Sequence, residues 1–218
     1  IGTSTKALSS QVAGAVNLTA TAGDINYSNI GAISLLDVLA TNGKIAFQNS
    51  GDVVVGQVKA GGTVNFKVSG NVTDGNGSAA NFITSGLTAA VKSFGTSGDA
   101  LEIQVDELVI DAANGGIYAR QSNGNLLSLV QATSGGTGSD IQISADGSIK
   151  LGNVDAGGNN VKLSAGGTIE DGRTDKTKAN VVARELDMSA PGGIGKQGNL
   201  DLDVSFLSAA GGSGGVTA

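Results

Sequence analysis

Apolar and polar residues alternate in short runs along most of the chain. "VNFKVSGNV" (Val64 to Val72), "IQISADGSIKLGNV" (Ile141 to Val154) and "VKLSAGGTI" (Val161 to Ile169) place one set of side chains on one face and the rest opposite. A period of two predicts β-strands with one buried face. Glycine and Asn-Gly or Asp-Gly pairs punctuate the runs, at Asn42-Gly43, Asn114-Gly115, Asn123-Gly124, Asp146-Gly147 and Asp171-Gly172. Such pairs ordinarily announce hairpin turns.

The punctuation is regular, and that regularity argues against hairpins. Gly23-Asp-Ile25, Gly43-Lys-Ile45 and Gly62-Thr-Val64 follow one another at a nearly constant interval. Gly31-Ala-Ile33, Gly51-Asp-Val53 and Gly70-Asn-Val72 form an interleaved series with the same spacing, and Gly147-Ser-Ile149 precedes Gly167-Thr-Ile169 by a similar step. Two such phrases per roughly 20 residues describe one coil of a solenoid. The predicted fold is all-β, a right-handed parallel β-solenoid (β-helix) with about 20 residues per coil. Glycine and asparagine at its corners are expected to adopt positive φ. Stacked Val, Ile and Leu are expected to fill a narrow interior. Val64, Ile103, Val105, Leu108, Ile169, Leu202 and Val204 are read as core positions.

A longer repeat overlies this one. "FGTSGDALEIQV" from Phe94 matches "IGKQGNLDLDV" from Ile194, and "IGTS" at Ile1 is a weaker third copy. "GQVKAGGTVNFKVSGNVTDG" (Gly56 to Gly75) pairs with "GNVDAGGNNVKLSAGGTIEDG" (Gly152 to Gly172), and Phe82-Ile83 aligns with Val181-Val182. The predicted units are residues 1–93, 94–193 and the start of a third at 194–218, in one continuous rod. Ile1, with no initiator Met, reads as a cut inside a longer polypeptide.

Composition then removes whole classes of chemistry. Of 218 residues, 36 are Gly and one is Pro, and there is no His or Cys. Imidazole and thiolate nucleophiles, the metal sites they build and disulfides are therefore excluded. A net charge of −6 disfavours nucleic acid, and no apolar run is long enough to span a membrane.

The carboxylates are the first candidate chemistry, because a glycosidase needs two at a set separation. Glu102 and Asp106, and Asp201 and Asp203, lie on the polar side of their strands. Their repeat-equivalent placement reads as a solvated stripe. Asp74 and Asp171, each before a glycine, read as turn formers, since neither an EF-hand loop nor a calcium nonapeptide is present. "SGGTGS" and "GGSGG" lack the phosphate-loop pattern. Asn17, Asn26, Asn71 and Asn76 fit the glycosylation sequon only as the composition makes expected. No catalytic, cofactor or metal set is predicted. The one basic cluster, Arg173, Lys176, Lys178 and Arg184, lies in a segment slightly longer than its counterpart, and reads as a solvated loop, with an exposed binding loop for a ligand or anionic glycan as the alternative.

Coils of this length, grouped into long units marked "IGTSG…L-x-I-x-V", resemble the repeats of filamentous-haemagglutinin-like bacterial adhesins. The resemblance spans essentially the whole chain and lies in repeat style. It implies a structural, non-enzymatic rod segment of a giant adhesin or filament protein, secreted or at the bacterial cell surface. The partners it implies are further repeats of the same polypeptide, other rods by end-to-end or lateral association, and host or bacterial surface glycans. The alternative expectation is a polysaccharide-binding or polysaccharide-processing parallel β-helix. A third is a self-assembling filament subunit, because solenoid ends expose strand edges.

Overall fold

The computed structural model describes residues 1–217; Ala218, the last residue of the third predicted unit, lies outside them. The nineteen strands of the described residues form one sheet in which every strand-to-strand pairing is parallel. The chain is a β-solenoid of about ten turns with about 21 residues per turn. At roughly 4.8 Å per rung the stack is on the order of 50 Å long.

The two interleaved glycine phrases fall where the spacing predicts. Ile25 pairs with Ile45 and Ile45 with Val64, while Ile33 pairs with Val53 and Val53 with Val72. Each long strand also turns a corner. In Ile33–Ala40 the buried positions are interrupted by two consecutive exposed residues, Leu36 and Asp37, and in Leu101–Ala112 by Asp106 and Glu107. Two outward side chains in succession break the alternation, so one strand supplies two walls and each coil has three.

Coil length is not constant. One wall climbs by direct pairing from Ile25 through Ile45, Val64, Leu87, Leu108 and Leu129 to Leu151. Its longest step, Val64 to Leu87, contains the loop after Asp74. The corresponding loop after Asp171 makes the step from Val154 to Val181 longer still.

The interior is aliphatic with one addition. Val64, Ile103, Val105, Leu108 and Ile169 are all buried, and Leu202 and Val204, in the last long strand, are half-buried. Running through the first half is a file of five rings, Tyr27, Phe47, Phe66, Phe82 and Phe94, with centroids 4.7 to 5.9 Å apart. The scarcity of aromatics hides this file, because Tyr27, Phe47 and Phe66 in direct register are extended by Phe82 and Phe94 from the other walls. Such neighbours add about 0.5–1.5 kcal/mol each beyond the area they bury.

Most corner glycines serve a different purpose from the one expected. Among the described residues no non-glycine has positive φ, and of the glycines in the seven Asn-Gly and Asp-Gly pairs only Gly77 and Gly124 do, at 70° and 68°. A Cβ at Gly43 would instead overlap the Gly23 carbonyl oxygen, and one at Gly147 would overlap that of Gly124. Corners stack so closely that a side chain would strike the rung beneath. Positive φ is also required at the unit starts, where Gly2, Gly95 and Gly195 share values of 63°, 69° and 70°.

Candidate functional site

The most elaborate polar arrangement is built twice, once in each long unit. Asn81 and Asn180 are completely buried, immediately before the strands Phe82–Val91 and Val181–Ser189. Asn180 Nδ2 donates to the carbonyls of Leu151 (2.8 Å) and Gly152 (3.3 Å) and to Asp171 Oδ1 (3.0 Å). Its Oδ1 accepts from the Asp201 amide at 2.9 Å. Asn81 repeats the set with Val55, Gly56, Asp74 and the Glu102 amide. Each asparagine thus ties together three successive rungs at a point where the chain leaves the sheet for a loop. A buried amide satisfied on both sides is strongly held, because losing it leaves the backbone amide it accepts from without a partner.

The carboxylates do turn work, as their position before glycine predicts. Asp74 accepts from the amides of Asn76 (3.0 Å) and Gly77 (2.7 Å), and Asp171 from that of Arg173 (3.0 Å). Each also anchors the asparagine, which sequence reasoning missed. The available signal was Asn81 and Asn180 themselves, the same residue directly ahead of the aligned Phe82-Ile83 and Val181-Val182 pairs.

The basic segment is not a single exposed surface. Arg173 is turned inward, its side chain 5% exposed, with Nε 3.1 Å from Asp171 Oδ1 and Nη1 2.5 Å from Asp201 Oδ2. It also donates to the Lys178 carbonyl. This corrects its assignment to an exposed loop: two carboxylates from different rungs converge there, and the guanidinium fork spans both. Lys176 is exposed and sets Nζ 2.5 Å from Asp171 Oδ2. Lys178 is exposed in the same loop. Arg184 lies on the following strand, 3.1 Å from Glu185 and donating to Asn160 at 2.9 Å. The Arg173 guanidinium, joined by Lys176 and Asn180, holds the Asp171 carboxyl well below the usual carboxylate range.

The first unit lacks that guanidinium. Asn76 stands where Arg173 does, two residues after the aspartate, and Glu102 stands where Asp201 does. Glu102 Oε2 is buried without a hydrogen-bond partner. Burial, with Asp74 and Asp99 nearby, pushes its carboxyl above the usual range. Asp106 and Asp203 are exposed, in keeping with the solvated stripe, whereas the repeat-equivalent pair departs from it: Glu102 is partly buried and Asp201 is engaged by Arg173. Among the described residues, no group of three acids is arranged to hold a metal ion. No helix among them is long and apolar enough to cross a membrane.

Elsewhere a groove of about 890 Å³ runs along one edge of the rod, with Gln48, Lys67, Lys92 and Asp111 on successive rungs of its wall. The chain matches no family model, no curated protein and no solved structure.

Proposed function

We propose that this chain is a structural rod segment of a giant extracellular bacterial adhesin or filament protein, a stiff spacer that carries binding domains away from a surface. The observation that carries the reading is continuity. Phe94, at the start of the second unit, pairs below with Val72 and above with Ile117. Ile194, at the start of the third, bridges to Ile169 and Val216. Neither unit boundary interrupts sheet or core, so force along the rod is borne by backbone ladders and a dry interior instead of by linkers. The surface location rests on repeat style alone.

Its role is mechanical and non-enzymatic in this reading. The acids Asp74 and Asp171 are engaged in holding loops, which leaves them poorly placed for proton transfer to a substrate. The test is to insert three further copies of residues 94–193 into the full-length protein on its own cells. Each copy adds roughly five turns, so electron microscopy should show fibres longer by roughly 70 Å with adhesion retained. Fibres of unchanged length, or turnover of a glycan by the purified chain, would overturn the proposal. Antibodies against residues 1–217 should label intact cells.

A further inference from the structure

Seven aromatic residues are present, and five form the internal file. The remaining two, Tyr118 and Phe206, lie far apart in sequence but line one groove of about 520 Å³ on the outside of the rod. Its long axis follows the stacking direction. Tyr118, Gln142, Lys162, Asp187 and Ser208 occupy consecutive rungs in direct register. Beside them run Asn160, Glu185 and Phe206, also in register. Four rung steps separate the two ends, about 19 Å.

Both rings are set as platforms. A Cβ on Gly116 would stand 2.6 Å from Tyr118 Cε2 and 3.1 Å from Cζ, so the tyrosine ring lies over a residue that has no side chain to push it off. Phe206 is 65% exposed. Its register partner Glu185 is an exposed, outward position of the preceding rung, so the ring projects from the outer face of the rod, on the last strand of the described residues. Phe206 is not among the residues packed against the core.

Between the platforms the wall is polar and nearly balanced in charge. Asp187 faces Lys162, Glu185 pairs with Arg184 beside the groove, and Asp140 accepts from the Asn160 amide. Lys162 Nζ lies 3.8 Å from Asp187 Oδ2, and Arg184 grips both Glu185 and Asn160. Glu185 and Asp187 are thereby oriented with acceptor capacity left over, and the acids slightly outnumber the bases, which disfavours a polyanion. Apolar plates bracketing a run of acceptors and amides fit a ligand with flat C–H faces and hydroxyl edges. The rung spacing is close to the length of one pyranose in an extended chain, so each sugar would meet one rung.

We propose that the groove from Tyr118 to Phe206 binds a neutral oligosaccharide of about four pyranose units along the rod axis, stacked at its ends on these two rings. This site is separate from the mechanical role, and the fibre-length experiment does not depend on it.

The test is calorimetric titration of the chain with cellotetraose, xylotetraose, mannotetraose and chitotetraose, with octalysine and polygalacturonate as charged controls. At least one neutral tetrasaccharide should bind saturably and more tightly than its disaccharide, with little dependence on salt. Phe206→Ala should weaken it about tenfold, and Tyr118→Ala similarly, while Tyr118→Phe retains it. Because Phe206 is exposed, its variant should melt like the parent, which separates lost binding from lost folding. No neutral sugar binding at roughly 10 mM, or undiminished binding by Phe206→Ala, would overturn the assignment. Salt-sensitive binding of octalysine alone would assign the groove to basic peptides instead.

Discussion

Asn81 and Asn180 stand one long unit apart and make the same bonds: each donates to two backbone carbonyls one rung below and to an aspartate carboxylate, and each accepts one amide from the rung above. The long repeat of the sequence is thus a repeat of buried polar clamps as well as of strands.

Replacing Asn180 with Ala strands the Asp201 amide and takes a donor from the Gly152 carbonyl and from Asp171, while the Leu151 carbonyl keeps the Gly172 amide. With a buried unmatched group costing about 1–3 kcal/mol, the loss should be about 3 kcal/mol in urea unfolding. Asn81→Ala should cost a similar amount. A loss well below the cost of one unmatched group in both variants would show that water replaces the amide.

Arg173 and Asp171 form a pair with side chains 5% and 6% exposed. Arg173→Met leaves Asp171 charged and buried, with Lys176 at its edge, and should destabilise by about 3–5 kcal/mol. The pH dependence follows from the same pair. The folded carboxyl is held below its unfolded value, so the stabilisation is present above about pH 4 and is lost as pH falls further. Thermal melts from pH 6 to pH 2 should drop steeply for the parent and less steeply for Arg173→Met.

Glu102 should behave with the opposite sign. Its folded carboxyl is raised, so the proton is held more tightly in the native state, and stability falls as pH rises through the ordinary glutamate range and just above it. Glu102→Gln removes the charge that Asp74 and Asp99 oppose. It should raise stability at pH 7 and by much less at pH 4, read from melting temperatures at the two values. An equal gain at both would mean that shape and not charge is responsible.

Gly43→Ala tests the stacked corners. Its Cβ would overlap a carbonyl of the rung below, whereas a Cβ at Gly14 would meet nothing within 4 Å. The first change should cost more than about 2 kcal/mol and the second less than about 0.5 kcal/mol, compared by chemical unfolding.

The strands, the parallel coil and the position of each glycine phrase were legible because they depend on neighbours two residues apart and on a beat of nearly constant length. Ile25, Ile45 and Val64, for example, declare their register through matching Gly-x-Ile/Val contexts. The role of the corner glycines was not legible, since a missing side chain looks the same whether it permits positive φ or a close rung. The candidate sites lay further out of reach. Arg173 meets Asp201, and Asn81 meets Glu102, only after a whole coil has intervened, and Tyr118 shares a groove with Phe206 across four rungs. Coils differ in length, so the alignment of side chains several rungs apart depends on every loop between them. Local alternation determined that this chain winds and what lies inside it; which polar groups meet on the wound surface was decided only by the accumulated register of the tertiary structure.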